Sequence, residues 1–298
     1  VSKGLYFVVI IILGAAVLMN IRPSYALISV AELNARNAKK TAPPKKPSAH
    51  FRVVIDPGHG GIDKGTSYDQ LYEKDVTLAL AKEVAAQLRT RGIDVIITRD
   101  SDREIPLSAR TAMANKLGAD AFISLHMNSL PQGGAPQGDL ASGTETYILN
   151  NTNDESSKRL TELENTVMAG EKGGEPMDVA LILKDLRLDA NLPESKRLAC
   201  MLQNQMVLAR AKATGNTESA PKTDRGVRQA LFFVLLGADM PSALVEAGFL
   251  SSAKDRNWLL TKEGRKGFGL AVARAINLFR LQKNTPEAQK TLNTCKVH

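Results

Sequence analysis

Phe51-Arg52-Val53-Val54-Ile55-Asp56-Pro57-Gly58 is the stretch on which the fold turns. Its β-branched run, stopped by Pro57-Gly58, reads as a strand. Residues 75–91 then carry apolar Val76, Leu80, Val84 and Leu88 at helical spacing, so a helix follows. Gly92 ends that helix, 93–98 reads as a strand, 107–117 as a helix and 119–125 as a third strand. This alternation implies a largely parallel α/β sheet with crossover helices. Farther along, 144–149, 231–236 and 242–245 read as strands, and 194–213 and 262–281 as helices. With 43% hydrophobic and 23% charged residues in 298, the chain has the balance of a globular protein with one principal domain. Its bounds are set at 51–283, leaving 284–298 as a polar C-terminal tail.

Ahead of that domain, Lys3 precedes an almost unbroken apolar run over 5–19, followed by Asn20, Arg22, Pro23 and Ser24. The run is short for a bilayer span. A basic start, this stretch and the small residues Ser24 and Ala26 read as a secretory signal peptide over 1–26. An uncleaved anchor or a buried helix is the competing reading, and the segment, if uncleaved, would be the chain's one membrane contact. Residues 27–50, with Lys39-Lys40, Pro43-Pro44 and Lys45-Lys46-Pro47, read as a flexible basic linker. Of the net charge of +8, the leader holds +2 and the linker +4, so only +2 remains for the folded part. A nucleic-acid-binding domain concentrates its charge on the fold, so nucleic acid is not an expected partner. Cys200 and Cys295 share no metal-ligand spacing, which excludes a cysteine zinc cluster. Export permits a disulfide between them; one in a helical pattern and one in the tail, they read equally as two free thiols.

Between 150 and 191 the alternation breaks. A polar helix over 154–168, with apolar Leu160, Leu163 and Val167, leads into the loose run 169–176. This is a helical insertion into the sheet, either a surface excursion or a functional element.

Four histidines are present, and only His59 and His126 fall inside the predicted fold. His59 lies just past the first strand in Asp56-Pro57-Gly58-His59-Gly60-Gly61, and His126 ends the strand 121–125. Ligands gather beyond the carboxyl ends of strands in open parallel sheets, so both imidazoles can meet one metal. Glu73, in the loop before the helix that opens near Asp75, is the candidate third ligand. Two His and one carboxylate, with a fourth position left for water, is a catalytic zinc arrangement. Each of these residues alone reads as ordinary: a loop histidine, a strand-end histidine, a helix-start glutamate. Glu246 interrupts the apolar strand Ala243-Leu244-Val245-Glu246-Ala247-Gly248. It is either paired with a core arginine, Arg99 or Arg110, or a general base beside the metal. Asn128, just past His126, reads as a turn or cap residue or as a substrate contact.

Five segments together resemble the zinc-dependent type 3 family of N-acetylmuramoyl-L-alanine amidases: Val54 to Gly61, Glu73-Lys74-Asp75, Ser124 to Ser129, Gly143-Thr144-Glu145-Thr146-Tyr147 and Leu244 to Ser251. They stand in family order and cover 51 to about 281. The resemblance implies a six-stranded sheet flanked by helices, one zinc ion on His59, Glu73 and His126, and Glu246 as the catalytic glutamate. It implies hydrolysis of the amide joining the lactyl group of N-acetylmuramic acid to L-alanine in peptidoglycan; with the signal peptide this places the protein in the periplasm, or secreted or wall-associated if the source is Gram-positive. The insertion is similar to that of the Gram-negative cell-division amidases, in which an inserted helix covers the zinc until an activator protein withdraws it. Glu164 or Glu162 is then the candidate for the open zinc position. Two rivals are a zinc deacetylase of wall sugars and a non-catalytic peptidoglycan-binding protein on the same fold.

Overall fold

The computed structural model describes residues 51–128, 142–165, 177–213, 215, 223–281 and 286–298, with side chains in the helix 177–213 described from 191 onward. The expected leader 1–26 and linker 27–50 lie outside the described residues, as do Val167 and the run 169–176. Among the described residues, no helix is long and apolar enough to cross a membrane.

The elements run β1 (Arg52–Pro57), β2 (Ser67–Tyr68), β3 (Leu71–Tyr72), α1 (Glu73–Arg89), β4 (Asp94–Ile97), α2 (Leu107–Leu117), β5 (Ala121–Asn128), β6 (Thr144–Leu149), α3 (Glu155–Asn165), α4 (Met177–Ala213), β7 (Asp224–Ala230), β8 (Ser242–Phe249), α5 (Ala253–Leu259), α6 (Lys262–Arg280) and α7 (Pro286–Thr294). Six strands form one sheet in the order β4-β1-β5-β8-β6-β7. β4, β1, β5 and β8 are parallel, β6 is antiparallel to β8, and β7 is parallel to β6. β2 and β3 make a separate small hairpin before α1.

Because successive strand residues face opposite sides, the sheet supports two cores. Val53, Ile55, Ile123 and Val245 meet Leu80 and Val84 of α1, Met201 of α4 and Phe268 of α6 on one face. On the other face, Val54, Phe122, Leu244 and Tyr147 meet Leu107 and Ala114 of α2, Phe232 and Leu235, and Leu160 of α3. Every residue of β5 and β8 is buried, which is why both strands read as mainly apolar runs that His126 and Glu246 interrupt. α2 stops at Gly118, whose φ of +62° is the left-handed ending that glycine adopts without a steric penalty.

Several expected boundaries move. The strand expected over 231–236 is instead a short 3₁₀ turn, Phe233–Leu235, and the edge strand is β7 just before it. The helix expected from 194 starts at Met177 and runs through Pro193, so among the described residues the insertion holds α3 and the first turns of α4. The expected polar tail after 283 packs on the domain: α7 buries Ala288 and Thr291, and Val297 bridges to Val227 of β7. The open question of the cysteines is resolved by the same docking. Cys200 of α4 and Cys295, just after α7, are disulfide-bonded with Cα atoms 5.7 Å apart, and there are no free cysteines.

Candidate metal centre

His59 leaves the end of β1 in a left-handed conformation, φ +61°. That strain is held by two buried arginines that clamp the loop from behind. Arg99 donates to the carbonyls of Pro57 and Gly58, and Arg110 to those of Pro57 and His59. Arg110 also pairs with the buried Asp56 at 2.9 Å. Both arginines are thereby committed, and neither pairs with Glu246. Asp63 accepts from His59 Nδ1 at 2.8 Å, which fixes the ring and leaves Nε2 aimed inward as a lone-pair donor.

Glu73 is the first residue of α1 rather than a loop residue, and it is fully buried. Its carboxylate is oriented by backbone donors: Met127 N to Oε1 at 2.8 Å and Thr66 N to Oε2 at 2.9 Å. His126, from the end of β5, presents Nδ1. Gly58 makes room for it, since a Cβ there would overlap the imidazole.

These three residues converge with Glu164 of α3. His59 Nε2 lies 3.1 Å from Glu73 Oε1 and 3.3 Å from Glu164 Oε2, and His126 Nδ1 lies 3.1 and 3.0 Å from the same two atoms. Four donors at zinc bond lengths of about 2.0 Å sit at tetrahedron corners roughly 3.3 Å apart, so the spacing matches one zinc ion. All four ligand atoms fall within 4.8 Å of one another. His59 Nε2 and Glu164 Oε2 are buried without a hydrogen-bond partner, as atoms waiting for a cation would be. With protein groups alone, burial opposes charge on His126, but the Glu164 carboxylate and hydrogen bonds to Glu164 and Glu73 raise it to about 10. Burial likewise opposes charge on His59, and Glu73, Glu164 and Asp63 push it well above its usual range. A divalent cation at the centre satisfies the same carboxylates and leaves the imidazoles neutral. Glu162, the other candidate on this helix, is exposed and is not among the four grouped donors.

Glu246 is opposite His126 in the β5–β8 register and fully buried, with neither carboxylate oxygen hydrogen-bonded. Burial, and the nearby carboxylates of Glu164, Glu73 and Glu145 against the pull of His126, hold it well above the usual carboxylate range. Asn128 ends β5 and donates to Glu145 Oε1 at 2.6 Å. Glu145, Asp63, Arg225 and Arg228 were not among the candidate residues legible in the sequence. A charged residue within a strand next to glycine was the signal for Glu145, and an acid four residues after His59 was the signal for Asp63.

Donors spaced for one ion, with a carboxyl group beside them that can carry a proton, belong to the chemistry of hydrolases that activate water. Comparison narrows this class. The family model described as N-acetylmuramoyl-L-alanine amidase matches residues 53–278, and the chain belongs to that type 3 amidase family. It is an enzyme that hydrolyses peptidoglycan. Among curated relatives, AmiA of Salmonella typhimurium is 32% identical over 88% of this chain and 88% of its own length, and AmiC of Neisseria meningitidis is 32% identical over 76% and 52%. Among solved structures, an N-acetylmuramoyl-L-alanine amidase from Clostridium difficile 630 aligns at a TM-score of 0.57 with 26% identity, covering 80% of this chain and 100% of that one. AmiC2 of Nostoc punctiforme aligns at 0.54 with 28% identity, covering 78% and 98%.

Proposed function

We propose that the enzyme is a zinc-dependent N-acetylmuramoyl-L-alanine amidase held inactive by α3 until a partner protein displaces that helix. The observation that carries the reaction is Glu246, a buried carboxyl with no protein partner beside the donor cluster. His59, His126 and Glu73 hold the ion, which when bound supplies Lewis acidity toward the amide carbonyl and eases ionisation of water. Glu246 takes the proton of the attacking water and gives it to the nitrogen of L-alanine as the amide bond breaks. Asp63 keeps His59 in the donating tautomer, and the Met127 and Thr66 amides keep Glu73 ionised toward the cluster. Hydrolysis proceeds without a covalent intermediate.

Glu164 supports the regulatory reading. It supplies a fourth donor at the corner that water or substrate needs, and α3 carries it on the face formed by Ser157, Leu160 and Thr161, which are buried. Withdrawal of α3 by an activator protein opens that corner, which suits an enzyme of daughter-cell separation or wall remodelling. The leader read over 1–26 and the disulfide both favour export, with the periplasm as the site of action. The test is dye release from labelled peptidoglycan by wild type and Glu246→Gln, with bound zinc measured in both. Retained zinc with release lowered about 10²–10⁴-fold is expected; equal release refutes the role of Glu246. Free stem peptides as product support the amidase, whereas released acetate would point to the sugar deacetylase, and binding without products to a non-catalytic wall protein.

A further inference from the structure

A second polar group lies across the sheet from the donor cluster and takes no part in the proposed reaction. Glu145 of β6, buried at 2% exposure, accepts from Asn128 of β5. From the edge strand β7, Arg225 Nε lies 3.4 Å from Glu145 Oε1, and Arg228 Nε lies 3.1 Å from Oε2. Arg228 extends further and places Nη1 3.0 Å from Oδ2 of Asp154. Asp154 also accepts from Ser157 N at 2.8 Å, so the residue that caps α3 is the one that seats on Arg228.

Charge decides what this group can bind. Two guanidinium groups meet one carboxylate, Glu145, that is fixed inside a strand. The second negative charge is Asp154, whose side chain is 42% exposed and which moves with α3. When α3 withdraws, the arginines keep Glu145 alone, and among the described residues one positive charge is left over on the open face. A guanidinium fork prefers a carboxylate, which it engages bidentately.

α3 thus lays two carboxylates over the sheet, Glu164 on the donor cluster and Asp154 on Arg228. Ten residues of helix span about 15 Å. An extended peptide covers that in roughly four to five residues at about 3.4 Å each. We infer that Arg228, supported by Arg225, is a specificity-determining residue that takes a carboxylate of the substrate's stem peptide, and that Asp154 fills its place while α3 is docked. This rests on the amidase reading. α3 then competes with substrate at two points, the reacting end and an anionic end.

The test uses the full chain carrying Glu164→Gln, and two synthetic muramoyl tetrapeptides, one with free stem carboxylates and one with those groups amidated. KM and kcat are measured for both; binding of both is measured by calorimetry in the same chain with Glu246→Gln added. Amidation should raise KM about tenfold through loss of one charge-assisted pair, and Arg228→Gln should abolish that preference in KM and in binding alike. Asp154→Asn, which keeps the helix cap, should tighten binding of the free-carboxylate peptide with Glu164 intact. Undiminished preference in Arg228→Gln, or no preference with Arg228 present, overturns the inference. Should Arg228→Gln fail to fold, Arg228→Lys keeps the charge and loses the fork, and a preference reduced severalfold is expected; an unchanged one counts against the assignment. Calorimetric preference without hydrolysis of either compound would instead sink the amidase reading and leave the carboxylate site standing.

Discussion

Replacing Leu160 with alanine separates the hold of α3 on the sheet from the chemistry beneath it. Leu160 is 7% exposed in the core with Tyr147 and Phe232, whereas Leu163, on the same helix, is 58% exposed. Truncating a buried leucine costs about 2–5 kcal/mol, and the lower part of that range applies where a surface helix can settle. A loss of about 2–3 kcal/mol shifts the docked-to-open equilibrium of α3 roughly 30- to 150-fold at 1.36 kcal/mol per decade. Alanine is the better helix former, so α3 itself stays helical. Initial rates of dye release from labelled peptidoglycan, without any activator, should therefore rise by that factor or until α3 is fully open. Leu163→Ala, the same chemical change on the solvent side, should stay within about twofold, as surface substitutions do. Zinc content and thermal midpoint are followed in parallel. A zinc-loaded, folded Leu160→Ala protein no faster than wild type, or equal gains in both variants, refutes the docking argument.

Three further outcomes are expected. Cys200 and Cys295 close a loop of sequence separation 95, so replacing both with serine should cost about 2–4 kcal/mol, with about 4.7 kcal/mol as the chain-entropy ceiling, read from urea unfolding; a loss below about 1 kcal/mol would show that packing of α7 suffices. Burial opposes the Asp56 charge, but Arg110, Thr98 and Ser124 hold its carboxyl below the ordinary 3.8. Its contribution is therefore complete above about pH 4 and is lost as pH falls through the folded value; Asp56→Asn should cost about 3–5 kcal/mol at neutral pH, with the gap to wild type narrowing in acid. Gly58→Ala should weaken zinc at least about tenfold in chelator competition, because the added methyl occupies the space of the His126 ring; unchanged affinity would mean that the ring can step aside.

The parallel half of the sheet was legible because β1, β5 and β8 are buried on both faces and leave apolar runs in the sequence. β7 was not, because Asp224, Arg225, Arg228 and Gln229 sit on a polar edge strand, and the apolar residues just after it pack as a turn beneath α2. His59 and His126 were found by their strand-end positions and Glu73 as the carboxylate just before the following helix, and the structure brings them to one point. The insertion helix was legible in outline, but Leu160 and Leu163 looked equivalent; only the docking of Ser157, Leu160, Thr161 and Glu164 on one face tells them apart. Glu145 stood in the sequence only as part of a family segment, and its pairing was not legible because its partners lie 80 and 83 positions away, on a strand that was itself unseen.

The ring closed by Cys200 and Cys295 divides the working parts of the enzyme. His59, Glu73, His126 and Glu164 all precede it, and Glu246, Arg225 and Arg228 all lie within it. A single backbone scission anywhere inside the ring leaves both pieces covalently attached, with β8 still paired between β5 and β6. A scission between His126 and Cys200 has no such tether and entrusts the meeting of donors and base to sheet pairing alone. Tolerance to proteolytic nicking should therefore differ on the two sides of Cys200.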